Sequence, residues 1–483
     1  MTIEVRQHQH FINNRSEPGS GGGSIEVVDP SSGMALGSLA RGTAADIDRA
    51  VAAARAAFEK SWSSTPAVTR GRILYQWSRI VADHAEELAL LECLDTGKPM
   101  RQARSDATAL SRYFEFYAGA ADKLHGQTIP YQDGYTVLTI REPHGVTGHI
   151  VPWNYPMQIF GRSVGAAIAT GNACVVKPAE DACLSLLRVA ELGAEAGLPE
   201  GVLNIITGLG TEAGAALAAH RGIDHISFTG STATGTLVAQ AAAANHIPVT
   251  LELGGKSPQL VFADADLDAA IPVLVNAIIQ NGGQTCSAGS RVLVEKSVAE
   301  EVTRRLADRF SALVAGPGEK DLDLGPLISS KQHQRVARLL EDAIGSGVRV
   351  TAEGSIAKDA PAKGFYQKPM LLADLPADHR LTHEEIFGPV LVVQSFQDEA
   401  EALRIANGTP YGLVAGIWTR DGSRQMRLAR KIHSGQVFIN NYGAGGGVEL
   451  PFGGVKHSGY GREKGFEALY GFTTLKTIAI HHG

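Results

Sequence analysis

The chain has 483 residues, a formal net charge of −6, and 44% hydrophobic and 19% charged residues. This length predicts about three globular domains, and the mixed charges argue against nucleic acid or an anionic membrane as the main partner, because both need a basic surface. No stretch approaches the ~20 apolar residues that span a membrane, and the start, MTIEVRQHQH, has no apolar core of a signal peptide.

The cysteines predict a reducing compartment. There are four, Cys93, Cys174, Cys183 and Cys286, and no two have metal-ligand spacing. Four cysteines in a chain of this length make no disulfide framework. We therefore expect free thiols, a cytoplasmic protein and no metal site.

The first third of the chain predicts a loop, two helices and a hairpin. The GSGGGS run at 19–24 is a flexible loop that joins two early strands. Residues 67–95 have apolar positions near a helical period and predict one long amphipathic helix, which ends at the Gly and Pro of 96–99. A second helix is expected over 101–121. Residues 129–143 contain an Asp-Gly turn before an alternating run and predict a projecting β-hairpin.

From residue 145 onward, β-rich runs alternate with helical ones. Before Cys286 the strands are VTGHIVP, NACVVKP, VLNIITG, HISFTGS and VTLELGG, and after it RVLVE, VRVTAE, PVLVVQSF, LVAGIWT and QVFIN. Such alternation predicts parallel sheets with helices on both faces. The predicted fold class is therefore α/β, with two doubly wound domains, one of them Rossmann-like, and a small β-hairpin.

Cys286 is the first candidate catalytic residue. It lies in NGGQTCSAGSR, among small and polar residues that leave room for a reactant, whereas the other three cysteines have apolar or helical surroundings. A thiol with a pKa near 8.5 is only slightly ionised at pH 7, and its position can improve this. The alternative is a small packing residue, the usual fate of a free cysteine.

Two polar residues at strand ends are the next candidates. Glu252 ends the apolar strand of LELGGKSP, where partial burial would raise its pKa toward neutrality and suit a general base. The alternative is an ion pair with Lys256. Asn154 lies in the stiff VPWNYP turn, where its amide can donate to an oxyanion. The alternative is a capping Asn in a turn.

Three motifs indicate a nucleotide site. FTGSTATG, with Gly230 and Ser231, opens a helix whose free N–H groups favour a phosphate, although an ordinary capped turn fits equally well. GLGTEAG, with Gly210, is one residue too long for GxGxxG. In VVKPAE, Lys177 and Glu180 lie at the carboxyl edge of the sheet. Glu180 can bind both ribose hydroxyls and favours NAD over NADP, and the alternative is a solvated ion pair.

Seven motifs cover most of the chain in this order: PWNYP, KPAE, FTGS, LELGGKSP, GQTC, EEIFGP and PFGGVKHSGYGRE. On these motifs the sequence resembles the NAD(P)-dependent aldehyde dehydrogenase superfamily, non-phosphorylating, in its betaine-aldehyde or semialdehyde branch. The resemblance implies that Cys286 attacks the aldehyde and that Asn154 and the Cys286 backbone N–H stabilise the oxyanion. Hydride transfer would leave a thioester, and Glu252 would activate the water that hydrolyses it.

The resemblance also implies the cofactor contacts. Lys177 and Glu180 would meet the adenine ribose, Ser231 the diphosphate, Glu385 the nicotinamide ribose and Phe387 the nicotinamide ring. The remaining predicted contacts are Pro152, Trp153, Gly210 and Gly230. The implied cofactor is NAD, with NADP possible.

The same resemblance implies the division of the chain. A cofactor domain is expected over 1–123 and 145–253, a catalytic domain over 254–445, and an oligomerisation arm over 124–144 and 460–483. In similar proteins the hairpin and the last strand bridge the subunits of a homodimer or homotetramer.

The substrate prediction depends on a few positions. Many betaine-aldehyde relatives carry Trp-Lys where this chain has Arg162 and Ser163, and the missing Trp argues against a quaternary ammonium. Arg162 resembles the succinic-semialdehyde branch and favours an aldehyde with an anionic or polar tail. The second arginine of that branch is Gln280 here, and Glu449 would favour an amine. Tyr155 is a further predicted contact, and a salt bridge at a helix surface is the alternative for Arg162.

Three rival functions stay open. The first is an aminoaldehyde or betaine aldehyde dehydrogenase. The second is an acylating dehydrogenase that passes the thioester to coenzyme A, against which Glu252 argues. The third is a non-catalytic binding protein, against which the presence of Cys286, Glu252 and Asn154 together argues.

Overall fold

The structure is a computed structural model that describes residues 6–376, 378–443 and 447–483. Its strands in chain order are β1 (Arg6–His8), β2 (His10–Ile12), β3 (Arg15–Glu17), β4 (Ser24–Asp29), β5 (Met34–Ala40), β6 (Thr128–Ile129), β7 (Tyr135–Pro143), β8 (Val146–Val151), β9 (Ala173–Pro178), β10 (Leu203–Ile205), β11 (His225–Thr229), β12 (Val249–Glu252), β13 (Pro258–Val261), β14 (Arg291–Glu295), β15 (Val314–Ala315), β16 (Val350–Glu353), β17 (Ser355–Ile356), β18 (Met370–Ala373), β19 (Val390–Phe396), β20 (Val414–Trp418), β21 (Gln436–Ile439), β22 (Gly459–Tyr460) and β23 (Thr473–His481).

The α-helices connect these strands on both faces of the sheets. They are α1 (Ala44–Lys60), α2 (Ala67–Asp83), α3 (Ala85–Thr96), α4 (Met100–Ala120), α5 (Pro156–Thr170), α6 (Leu184–Glu195), α7 (Ala215–Ala218), α8 (Thr232–Ala243), α9 (Leu267–Ile279), α10 (Ala299–Ala312), α11 (Ser330–Gly345), α12 (Arg380–His383), α13 (Glu399–Asn407), α14 (Gly422–Lys431) and α15 (Glu467–Gly471).

An eight-stranded sheet positions most of the predicted site residues. Its order is β22-β12-β11-β8-β9-β10-β2-β3, and the five strands from β12 to β10 run parallel. β9 and β11 are buried along their whole length, as expected for strands covered on both faces. Because these strands are parallel, the carboxyl ends of β8, β9, β11 and β12 meet at one edge of the sheet, where ligands bind in open α/β folds.

A second sheet of seven strands faces that edge. Its order is β16-β18-β19-β14-β13-β20-β21, and only β16 runs antiparallel to its neighbour among these strands. Asp266 caps the N-terminus of helix α9, and its side chain accepts a hydrogen bond from the Ala269 N–H. The helix packs by Leu274 against the apolar core of this sheet. Its far end delivers the chain to the loop that carries Cys286.

A third, three-stranded sheet has the order β23-β7-β6. β23 pairs antiparallel with β7 over nine positions, from Thr473 opposite Pro143 to His481 opposite Tyr135. The predicted hairpin at 129–143 is therefore confirmed, and the last strand of the chain completes its sheet. Leu475 and Ile480 are exposed on it.

The α/β fold class with two parallel sheets is confirmed, as are the loop at 19–24 and the helix near 101–121. The single helix predicted over 67–95 is wrong. His84 leaves the helical conformation (φ −105°, ψ 16°), so α2 ends at Asp83 and α3 begins at Ala85. The ring Nδ1 of His84 also lies 2.9 Å from the carbonyl oxygen of Ile80 in the last turn of α2.

Two strands of the second sheet, β13 and β18, were not predicted. The strands of that sheet lie between residues 258 and 439. The predicted domain ranges stay a prediction, and the boundary at residue 445 lies outside the described residues. Among the helices of the described residues, none has the length and apolar character to cross a membrane.

Candidate active site

The loop that carries Cys286 has an unusual backbone. Asn281, Gly282 and Gly283 are left-handed in succession, with φ of 51°, 61° and 75°. A Cβ on Gly283 would lie 2.1 Å from the carbonyl oxygen of Gly388, so only glycine allows this loop to pack against the EEIFGP segment. The two motifs, about a hundred residues apart in sequence, therefore meet at one place.

Cys286 lines a cavity of about 140 Å³ together with Asn154, Tyr155 and Arg162, four residues that the sequence had singled out. Burial raises the pKa of the Cys286 thiol to about 12, and the Arg162 guanidinium acts in the opposite direction. The expectation that its position increases ionisation is therefore wrong for the protein without ligands. The thiol is protonated at neutral pH and must lose its proton during attack. Cys93, Cys174 and Cys183 are buried packing residues, as predicted.

Asn154 is held from three sides. Its side-chain Nδ2 donates to the carbonyl oxygen of Gln284 at 3.0 Å. Its own carbonyl oxygen accepts from Asn281 Nδ2 at 2.8 Å and from Lys98 Nζ at 3.1 Å. An amide nitrogen has two N–H groups, so one bond to Gln284 fixes the side chain and leaves a second donor. The capping alternative does not describe this arrangement, because Tyr155 is the N-cap of α5.

A buried charge network lies beneath Asn154, and sequence reasoning missed it. The Lys98 ammonium is fully buried and donates to Glu92 on α3 and Asp106 on α4, each at 2.5 Å. It also lies 4.6 Å from the ring centroid of Tyr155. The TGKP segment was interpreted only as a helix stop, because the partners of Lys98 come from separate elements that no local pattern reveals.

Glu252 ends β12 with its side chain buried. Within the described part of the chain, neither carboxylate oxygen has a hydrogen-bond partner, so the alternative of an ion pair with Lys256 is not what the structure shows. Burial raises the pKa of Glu252 well above its usual value, Glu463 adds to the increase and Arg162 opposes it. The direction predicted for a general base is therefore confirmed. Glu252 is also close enough to Cys286 to raise the pKa of that thiol.

Arg162 forms a buried ion pair, not the surface salt bridge of the alternative interpretation. Its guanidinium contacts Glu463, and Glu463 also accepts a hydrogen bond from Ser227 Oγ at 2.6 Å. The Arg162 guanidinium stacks over Phe452 at 4.9 Å. Its charge is thus compensated on the side away from the cavity that it lines.

Lys464, the residue after Glu463, lines the same cavity and was also missed. The PFGGVKHSGYGRE motif was interpreted as far as Glu463, and only its continuation by one residue would have given the signal. Glu449, a predicted substrate contact, lies near the edge of the cavity. It is exposed, pairs with Arg112 at 2.6 Å and is absent from the described lining of the cavity.

The predicted adenine-ribose residues lie at the carboxyl end of β9. Lys177 Nζ donates to Glu180 Oε2 at 2.7 Å. Burial alone would raise the pKa of Glu180, but the Lys177 ammonium outweighs it and the pKa is lowered, which keeps a carboxylate able to accept from hydroxyls. Gly210 begins a π-helical turn beside this pair, and a Cβ there would meet open space. The pair and the open surface fit a nucleotide ribose.

Ser231 caps the N-terminus of α8, as predicted. Its Oγ accepts from the Thr234 N–H at 3.2 Å, and the Gly230 N–H donates to the carbonyl oxygen of Glu252 at 3.0 Å. The start of a twelve-residue helix is therefore tied directly to the strand end that carries the candidate base. A helix start at this edge suits a diphosphate.

Glu385 contacts Gly254 and Gly255, and Phe387 contacts Trp153. Glu385 Oε1 accepts from the Gly255 N–H at 3.1 Å, and a Cβ on Gly254 would lie 2.4 Å from Glu385 Oε2. Burial raises the pKa of Glu385 to about 7. Phe387 has a left-handed backbone (φ 59°) and meets Trp153, which follows Pro152 after β8, edge to face at 5.4 Å. These residues fit the nicotinamide end of a dinucleotide.

Comparison with known proteins agrees with this site. The profile of the aldehyde dehydrogenase family matches residues 17–478. A hydroxyisobutyraldehyde dehydrogenase of Mycolicibacterium austroafricanum is 41% identical over 98% of this chain and 93% of its own length. A crystal structure from Burkholderia cenocepacia is 70% identical with a TM-score of 0.98, covering 98% of this chain and 100% of its own. The NAD⁺ complex of an aldehyde dehydrogenase from Bacillus cereus is 40% identical with a TM-score of 0.96, covering all of both chains.

The betaine-aldehyde or semialdehyde branch stays a prediction after these comparisons. The family is shown, because its profile spans nearly the whole chain and the relatives share both sequence and fold along that length. The chain belongs to the aldehyde dehydrogenase family and is an NAD(P)-dependent aldehyde oxidoreductase.

Proposed function

We propose that this enzyme oxidises a small aldehyde with a polar tail to the carboxylic acid, using NAD, through a thioester on Cys286 that water hydrolyses. The observation that carries the proposal is the shared cavity of Cys286 and Asn154, with Glu252 buried beside it. The NAD⁺ of the Bacillus cereus complex and the intact Lys177–Glu180 pair support the cofactor.

The first step is attack of the Cys286 sulfur on the aldehyde carbon. Because the thiol is protonated at rest, its proton must pass to a base as the carbon–sulfur bond forms. Glu252 fits this role, since its pKa is raised toward the pH at which a carboxylate accepts protons efficiently. The aldehyde oxygen then becomes an oxyanion within reach of the free N–H of Asn154.

Bound NAD supplies the hydride acceptor. Loss of hydride from the thiohemiacetal leaves a thioester on Cys286, and the chain must then deliver a water to it. Glu252 first passes the thiol proton to solvent and then takes a proton from that water. The hydroxide adds to the thioester carbon, the carbon–sulfur bond breaks to release the acid, and Glu252 returns its proton to the Cys286 sulfur. The net reaction consumes one aldehyde, one NAD⁺ and one water, and forms one acid, one NADH and one proton.

The cavity supports a polar-tailed substrate. Besides Cys286, its lining includes the amides of Gln158 and Gln436 and the cations Arg162 and Lys464. A polar tail can exchange hydrogen bonds or charge with these groups, which a purely apolar tail cannot do. Aminoaldehydes remain the second candidate for the substrate class, because Glu449 lies near the edge of this region.

The assembly and compartment are part of the same proposal. Exposed apolar residues on the β6–β7–β23 sheet, Leu475 and Ile480 among them, support a homodimer or homotetramer that buries this surface. Light scattering of the purified enzyme should give two or four times the chain mass, and a monomer would contradict the proposal. Four free thiols fit the reducing cytoplasm.

The function is tested with a panel of anionic, cationic and neutral aldehydes, assayed with NAD or NADP, with and without coenzyme A. We expect NADH and the free acid in equal amounts without coenzyme A, and their loss in Cys286→Ser. Dependence on coenzyme A would favour the acylating alternative. Undiminished turnover of Cys286→Ser would overturn the proposal.

A further inference from the structure

We propose that Lys464 is the specificity-determining residue of the cavity and binds a terminal carboxylate of the substrate, which selects short aldehydes with an anionic end. This inference rests on the proposed oxidation at Cys286 and adds the substrate class. Arg162, the residue that the sequence suggested for this role, then serves to hold the charge balance around Glu252.

Lys464 lines the cavity from an unusual backbone conformation. Lys464 has a left-handed backbone (φ 61°), a conformation that favours glycine, yet the side chain present is long and charged. On one side Glu463 and Phe452 exchange hydrogen bonds of 2.7 and 2.8 Å, and on the other the Gly465 N–H donates to Val448 at 2.8 Å. These bonds maintain the conformation. A residue held in this way against its preference is characteristic of functional sites.

Lys464 is largely enclosed. It is 8% exposed, its Nζ lies 5.9 Å from the ring centroid of Phe452, and both side chains line the cavity of Cys286. Arg162 approaches the same ring at 4.9 Å. The reacting sulfur and the ammonium thus line one cavity of about 140 Å³.

The charges of the cavity favour an anion. Arg162 and Lys464 line it, and among the described lining residues there is no carboxylate. Glu463 compensates Arg162 from behind. Glu449 is exposed and engaged with Arg112 at 2.6 Å. A carboxylate entering the cavity would therefore meet net positive potential, whereas an ammonium tail would be repelled.

The protonation state of Lys464 predicts that the substrate preference depends on pH. Burial lowers the pKa of Lys464 to about 8, Arg162 adds to this, and Glu449 and the Cys286 thiol oppose it. Glu463, the preceding residue, pairs with Arg162, and Glu449 pairs with Arg112. The ammonium form therefore predominates below pH 8 and declines above it, so preference for an anionic aldehyde should decline over the same range.

The test compares two substrates in one enzyme. Succinic semialdehyde carries the terminal carboxylate and butanal has the same carbon chain without it. In the Lys464→Met variant, kcat/KM for succinic semialdehyde relative to butanal should fall roughly tenfold to a hundredfold, as expected for loss of one charged hydrogen bond, mainly through KM. Lys464→Arg should keep most of the preference. Cys286 and Glu252 act on both substrates, so their titration cancels in this ratio. The ratio should decline above pH 8 in the wild type, and this decline should be absent in Lys464→Met.

Arg112→Met is the matched control, since it removes an equal charge from the surface near the cavity without touching its lining. The ratio should stay within a few-fold in this variant. An unchanged ratio in Lys464→Met, an equal loss in Arg112→Met, or a wild-type preference for aminoaldehydes would overturn the inference while leaving aldehyde oxidation intact. If no aldehyde yields NADH, or Cys286→Ser stays active, the proposed function itself fails.

Discussion

At the scale of single residues, the sequence predicted the reacting groups better than their surroundings. Cys286, Asn154 and Glu252 stand in local patterns whose chemistry can be interpreted directly, and the structure brings them together. The partner of Arg162 is Glu463, about three hundred residues later, and no local pattern indicates that pairing. The high pKa of Cys286 also depends on burial by distant segments, which composition does not reveal.

Asn154 gives the first prediction at this scale. Asn154→Ala removes the free N–H that faces the oxyanion and should lower kcat about 10²- to 10³-fold, the usual loss for one such donor, with little change in cofactor affinity. Steady-state kinetics together with cofactor titration by fluorescence would measure both quantities. A kcat within a few-fold of the wild type, in a variant of unchanged melting temperature, would show that another group stabilises the oxyanion.

At the scale of elements, alternation of strands and helices from residue 145 onward sufficed to predict the parallel sheets. The errors arose where local pattern is weak. β13 is a four-residue strand beginning with Pro258, and it follows a motif rich in glycine. The break between α2 and α3 depends on the single residue His84, within a sequence whose helical period continues through it. Element boundaries of this kind depend on tertiary contacts.

Lys98 gives the prediction at this scale, because it joins α3, α4 and the turn after β8. Lys98→Met removes a fully buried cation and leaves Glu92 and Asp106 facing each other without it. The free energy of unfolding should fall by about 3–5 kcal/mol, as for other broken buried ion pairs. Chemical denaturation followed by fluorescence would measure this.

A further comparison separates charge from packing at Lys98. The triple variant Lys98→Met, Glu92→Gln, Asp106→Asn carries no buried charge at this position and should recover part of the lost stability. If Lys98→Met alone is as stable as the wild type, the network does not support the turn that holds Asn154.

At the scale of the whole molecule, two parallel sheets meet so that strand ends of the first face the Cys286 loop of the second. The seven ordered motifs implied this meeting through the family resemblance, whereas spacing alone did not. Phe472, just before the last strand, contacts two buried histidines of the first sheet, His149 and His225. His149 stacks on Phe472 at 5.6 Å, and His225 stacks on His144 at 4.9 Å.

These histidines predict sensitivity to acid. Burial lowers the pKa of His149 to about 3 and that of His225 well below 6.5. Their folded pKa lies below the unfolded value, so the unfolded chain binds protons first. Their contribution to stability is complete above about pH 6.5 and is lost as the pH falls, by up to about 1.4 kcal/mol per pH unit for each histidine. In urea denaturation, the wild type should lose more stability between pH 7.5 and 5.5 than His149→Gln, and equal losses would contradict this.

The central claim is that Cys286 holds the acyl group and Glu252 releases it, and the Glu252→Gln variant tests this most directly. Mixed with NAD and aldehyde, this variant should form about one NADH per active site, more slowly than the wild type because the base of the first step is also lost, and then stall. Mass spectrometry of the quenched protein should find the acyl group on the peptide that contains Cys286. Continued turnover at the wild-type rate, or a burst with no adduct on Cys286, would contradict the account.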